Sequence, residues 1–138
     1  MSVNIFNGGG MDEILLNINW LAIIVGFVVS FVLGWFWYSP KLFGQKWADG
    51  VGVKLTDSSQ VPVVAMIAQA IATFFLAWLV GITAAKEQLL TIILVILTLA
   101  IFIFSNGKYV KKSTTALMIE CGYILVMGVI MIICQGIF

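Results

Sequence analysis

Histidine and arginine are absent from this chain of 138 residues, and only 9% of its residues are charged. The missing histidine excludes a His-ligated zinc or haem site, a Ser-His-Asp triad and an imidazole proton shuttle. No HExxH run and no Walker loop is present, and no nucleophile stands beside a plausible base. The expectation is therefore that the chain is not an enzyme and holds neither metal nor other cofactor. A formal charge of +1 supplies no basic excess for phosphates, so no nucleic-acid partner is expected either. Cysteine is scarce. Cys121 and Cys134 fall on one predicted helix, 13 residues apart. That is roughly 20 Å along its axis, too far to bridge within one chain. They read as small apolar packing residues, with an intermolecular disulfide or a metal as alternatives.

Apolar residues make up 62% of the chain. A soluble domain is about 25% charged, so a chain this apolar takes lipid as its solvent. Four apolar runs stand out, at 18–38, 62–85, 89–104 and 113–136. Each is near the roughly 17–25 residues that cross a bilayer as a helix. They are continuous rather than alternating, which argues against a β-barrel. The expected fold is all-α: an integral membrane four-helix bundle over 18–138, preceded by a flexible N-terminal segment, 1–17. That segment contains Gly8-Gly9-Gly10, Asp12 and Glu13 and lacks the basic start of a secretory signal.

Turn chemistry frames the runs. Ser39-Pro40 closes the first, and Pro62 suits the first turn of the second. Lys86-Glu87-Gln88 reads as a hairpin, and Asn106-Gly107-Lys108 as a turn before the fourth run. Lys41, Lys46 and Lys54 lie in the first loop, and Lys108, Lys111 and Lys112 in the third, against Lys86 alone on the other side. The positive-inside rule then places loops 39–61 and 105–112 in the cytoplasm and both termini outside, in a cell (inner) membrane. The stretch from Leu42 to Trp47 mixes apolar and basic residues, as a short interfacial helix or turn does. Thr56 to Gln60 reads as a cap leading into the second span.

Membrane helices associate through close contact and a few polar links. Gly26, Ser30 and Gly34 form a small-residue stripe on span one, and Ala68, Ala72, Ala77, Gly81 and Ala85 give further small positions on span two. Such stripes serve packing within one bundle or joining of two protomers, so a homo-oligomer is one expected partner beside the lipid bilayer.

Glu120 is the one ionisable residue deep within a span, eight residues past Lys112, on the order of 12 Å inward. A central acidic residue costs about 2.5–3.5 kcal/mol to insert, so pairing, hydration or protonation must offset it. Equal depth suggests a polar layer of Ser30, Gln69, Thr98 and Glu120, with Tyr123 one turn beyond. Glu120 titrates during passage of a proton or cation, or it hydrogen-bonds within the bundle and specifies helix pairing, or it snorkels toward Lys111 or Lys112.

Asn19-Trp20-Leu21-Ala22, then Trp37-Tyr38-Ser39-Pro40 followed by Leu42, Phe43, Gly44 and Trp47, resembles the bacterial membrane-protein family called domain of unknown function 1761. Glu120-Cys121-Gly122-Tyr123, with Gly128 after it, is similar to that family's second signature. The resemblance implies a four-helix membrane protein and brings no catalytic residues. Many members carry histidine after the span-four tyrosine, where this chain has Ile124. Trp37, Tyr38, Ser39, Pro40, Phe43, Gly44 and Trp47 have two readings, interfacial anchoring or a lipid- or small-molecule-binding site. The function expected is an accessory, assembly or helix-interaction protein of the membrane. The alternative is a small oligomeric transporter or channel using Glu120.

Overall fold

Asn19 starts the first long helix by accepting the Ala22 N–H on its side chain at 3.1 Å, and Ser113 starts the last by accepting the Ala116 N–H at 3.0 Å. Between these caps the chain has little but apolar helix formers and short breaks. The structure, a computed structural model, describes residues 11–54 and 63–138. Six helices appear among them: α1 Asp12–Leu15, α2 Trp20–Trp37, α3 Gly44–Val51, α4 Val63–Ala85, α5 Leu89–Tyr109 and α6 Thr114–Ile137. No strand occurs among the described residues. α2, α4, α5 and α6 are long and apolar enough to cross a membrane.

α6 is the central helix. In its most apolar window 44% of residues are buried, against 17–22% for the other three, and it touches α2, α3, α4 and α5. The core gathers Ile23, Leu76, Ala77, Val80, Ile92, Ile96, Tyr123, Met127 and Met131. Outward-facing apolar residues such as Val64 (82% exposed) and Leu90 (81%) would drive aggregation in water and suit lipid.

The observed elements differ from expectation at two places. The third span does not stop at 104. Ser105 to Tyr109 continue as helix, and the turn falls at Val110–Ser113, where Lys111 takes φ 63°. Gly107 is buried against Leu117, so the glycine serves close packing of α5 on α6 rather than a turn. The N-terminal stretch is not simply a flexible lead. Its described part, Met11–Asn17, contains the helical turn α1, whose Ile14 carbonyl accepts the Trp78 Nε1–H at 2.7 Å. Trp20 lies against the same Trp78 ring at 5.6 Å, and Lys86 meets Glu13 at 3.5 Å on the surface. Residues 1–10, the Thr56–Gln60 cap and Pro62 lie outside the described residues. The stretch from Leu42 to Trp47, expected as a short helix or turn, is a turn leading into α3, which begins at Gly44 and is capped after Val51 by Gly52, whose φ of 79° suits a glycine C-cap.

The stripe of Gly26, Ser30 and Gly34 faces α6 of the same chain. A Cβ at Gly26 would meet the Met131 backbone at 3.5 Å, and one at Gly34 would meet the Tyr123 hydroxyl at 2.6 Å. Ser30 is fully buried. The stripe is therefore covered within the bundle, which is the packing use of the two expected for it.

Candidate functional site at the lysine-rich end

The chain leaves α2 through Trp37-Tyr38-Ser39-Pro40. Ser39 Oγ donates to the Phe36 carbonyl at 2.7 Å, and the Ser39 carbonyl accepts from Leu42 N–H at 3.1 Å and Gly44 N–H at 3.0 Å. Phe43 N–H donates to the Trp37 carbonyl at 3.1 Å. These bonds fold α3 back against α6, where Ala48 is fully buried and the Gly50 carbonyl accepts the Ser113 N–H at 3.0 Å.

This return brings the aromatic run to Glu120. Trp47 Nε1–H donates to Glu120 Oε1 at 3.3 Å, and Lys112 Nζ lies 2.9 Å from the same oxygen. The Trp37 indole donates to the Ile119 carbonyl at 3.1 Å. The Tyr38 ring meets Trp47 edge-on at 5.4 Å and Tyr123 edge-on at 5.6 Å, while Trp37 lies 4.8 Å from Phe43. Tyr123 hydroxyl donates to the Ser30 carbonyl at 2.7 Å. Trp37, Tyr38, Phe43 and Trp47 thus gather near one ion pair walled by aromatic rings, with Ser39 and Gly44 in the turn that brings them there. Glu120 is both paired with Lys112 and hydrogen-bonded across helices by Trp47. Glu120 Oε2 and Ser30 Oγ are buried without a hydrogen-bond partner among the described residues.

The polar layer does not assemble as depth alone suggested. Ser30, Glu120 and Tyr123 lie on the inner faces of α2 and α6, but Gln69 and Thr98 are exposed. Thr98 stands two residues, about 200°, round from buried Ile96, and its hydroxyl donates to the Leu94 carbonyl at 2.8 Å. Gln69 has the register of the buried stripe Thr73, Leu76 and Val80, but α4 buries nothing before Thr73.

The Tyr123 bond carries a measurable share of α2–α6 pairing. Tyr123→Phe keeps the ring and removes the donor. We expect it to lower unfolding free energy in detergent by about 0.5–1.5 kcal/mol, read by denaturant titration, since polar links within membrane bundles average about 0.6.

Cys121 Sγ donates to the Ala100 carbonyl at 3.1 Å, and Cys134 is buried, so each thiol has a packing role. Among the described residues no group of three His, Cys, Asp or Glu is placed to hold a metal ion. A groove of about 370 Å³ is lined by Trp37, Phe43, Lys46, Thr114, Thr115, Met118 and Ile119. The last four are residues that sequence reasoning passed over, and Lys46 entered it only through the lysine asymmetry. They lie on two helices nearly 70 positions apart, and no local pattern marks them.

Four apolar helices, three of them packed around α6, with six of the seven lysines toward one end, define a multi-pass helical membrane protein. The family profile described as "Protein of unknown function (DUF1761)" matches residues 21–136, and the chain belongs to that family. No curated protein and no solved structure matches it.

Proposed function

We propose that this protein is a non-enzymatic accessory or assembly protein of the cell (inner) membrane that acts by receiving another helix against α4, its lysine-rich end facing the cytoplasm. The observation that carries the reading is the unpacked half of that helix. Every residue from Val63 to Ala72 is exposed except half-buried Ala70, a length of about 15 Å. Apolar residues there rest comfortably in lipid, but Gln69 does not. Its carboxamide has no partner among the described residues, and lipid offers none. It sits four residues before Thr73 and seven before Leu76, on the stripe that further along is buried. Ala65, Ala68 and Ala72 are exposed beside it and let a second backbone approach. A helix seated there satisfies the amide and extends the bundle.

The lysine asymmetry supports the orientation. A second copy of this chain is one such helix donor, and another membrane protein is the other.

The test is site-specific photocrosslinking of the full chain in its native membrane. A photoreactive side chain at Ala68 is expected to give a discrete protein adduct, and one at outward-facing Leu90 none. Doubling of the mass identifies a second copy, and a different mass another protein. Gln69→Leu is expected to reduce the adduct several-fold. Labelling of lipid alone from Ala68 would overturn the proposal.

A further inference from the structure

The groove between α3 and α6 has two unlike ends. Its floor is apolar, formed by Trp37, Phe43, Met118 and Ile119. Its rim carries the Lys46 ammonium, Thr115, and Thr114, whose hydroxyl accepts from the Lys108 ammonium. Lys46 has no acidic partner among the described residues. The two nearby carboxylates are engaged elsewhere: Glu120 by Lys112 at 2.9 Å, and Asp49 by the Gln45 amide at 2.8 Å. Lys41, Lys54, Lys108 and Lys111 crowd the same end. The rim is therefore cationic with hydroxyl donors, and the floor below it is greasy and aromatic.

That polarity matches one ligand class. The volume, about 370 Å³, lies in the range of small-molecule pockets, roughly 300–1,000 Å³. Met118 in its lining is 61% exposed and apolar. A molecule with an anionic head and an apolar tail can enter from the bilayer without leaving it. A zwitterionic head would bring its own cation against Lys46 and gain little. A soluble anion would leave the aromatic floor unused.

We propose that this groove is a binding site for an anionic phospholipid, with its phosphate between Lys46 and the Thr114 and Thr115 hydroxyls and one acyl chain against Met118, Ile119 and Trp37. The site is separate from the α4 face, so either proposal can fail alone. Lys46 and the two threonines act on the headgroup, and the Lys112–Glu120 pair stiffens the wall behind it.

The experiment places the full chain in nanodiscs of phosphatidylcholine with a minor share of phosphatidylglycerol. Native mass spectrometry then counts retained lipids. The expected result is preferential retention of one phosphatidylglycerol. Lys46→Gln is expected to weaken that retention about fivefold, the effect of one lysine on an anionic lipid. Lys41→Gln removes an equal charge outside the groove and is expected to change it less than twofold. Thr115→Trp fills the groove and is expected to abolish it while the exposed position leaves the fold intact. Equal losses from Lys41→Gln and Lys46→Gln would mean diffuse attraction to an anionic surface and would overturn the site. So would retention without headgroup preference, or displacement of the lipid by millimolar inorganic phosphate, which would mark a soluble-anion site.

Discussion

Gly44→Ala is expected to destabilise this protein more than any other single methyl addition at a described glycine. A Cβ at Gly44 would stand 2.2 Å from the Tyr38 carbonyl oxygen and 2.8 Å from the Ser39 carbonyl carbon and oxygen. Those are backbone atoms, and they cannot rotate aside. The Ser39–Phe43 loop would have to open, breaking the 3.0 Å bond from Gly44 N–H to the Ser39 carbonyl. α3 would then lift from α6 and take Trp47 away from Glu120. Overpacking usually costs about 1–3 kcal/mol, and a rigid backbone obstacle puts this case at the top of that range or above it. Two comparisons set the scale. At Gly122 the added carbon meets only the Trp37 ring edge at 3.3 Å, and at Gly136 it meets nothing within 4 Å. Gly122→Ala should therefore cost little. Gly136→Ala should be neutral or slightly stabilising, since alanine is the better helix former by up to about 1 kcal/mol. Denaturant titration of the three variants in one detergent checks the order. Gly44→Ala as stable as the parent would show that α3 does not rest on this contact.

The same contact explains why the aromatic run is legible as a motif but not as a site. Trp37, Tyr38, Pro40, Gly44 and Trp47 form a local pattern, and their individual anchoring roles follow from residue type. Trp47 and Glu120 are 73 residues apart, however, and nothing local says that α3 returns to α6. The four spans were readable because each carries its own long apolar run, independent of the rest. The end of the third was not, because Asn106-Gly107 signals a turn in water while Leu117 makes it a packing position in the bundle. Depth can likewise be counted along a sequence, but facing cannot. Ser30 and Thr98 were matched for depth, yet one is fully buried and the other exposed, because a shift of two residues turns a side chain to the far side of a helix. Gln69 fails for a different reason. Its register is right, and α4 is simply unpacked at that level.

Breaking the Lys112–Glu120 pair should give effects that depend strongly on which partner is removed. Glu120 is the more enclosed side chain, 16% exposed against 31% for Lys112. Lys112→Met leaves a carboxylate among Trp47, Tyr38 and Cys121 with no countercharge. Stranding one member of a fully buried pair costs about 3–5 kcal/mol, and partial solvent access here brings the expectation down to about 1–3. Glu120→Gln is milder. The carboxamide oxygen still accepts from Trp47, and Lys112 can extend its ammonium toward the interface. The combined variant, Lys112→Met with Glu120→Gln, removes both charges and should be more stable than Lys112→Met alone, giving a coupling energy of about 1–2 kcal/mol. Additive losses would mean that the pair is only a surface proximity. The same Glu120→Gln protein discriminates the transporter alternative. In proteoliposomes, a folded variant that loses a pH-dependent proton or cation flux seen with the parent would favour passage through Glu120. Parent and variant that both hold an imposed ion gradient would favour the architectural role, in which Lys112 and Trp47 keep the carboxylate fixed at one end of the bundle and α3 locked against its central helix.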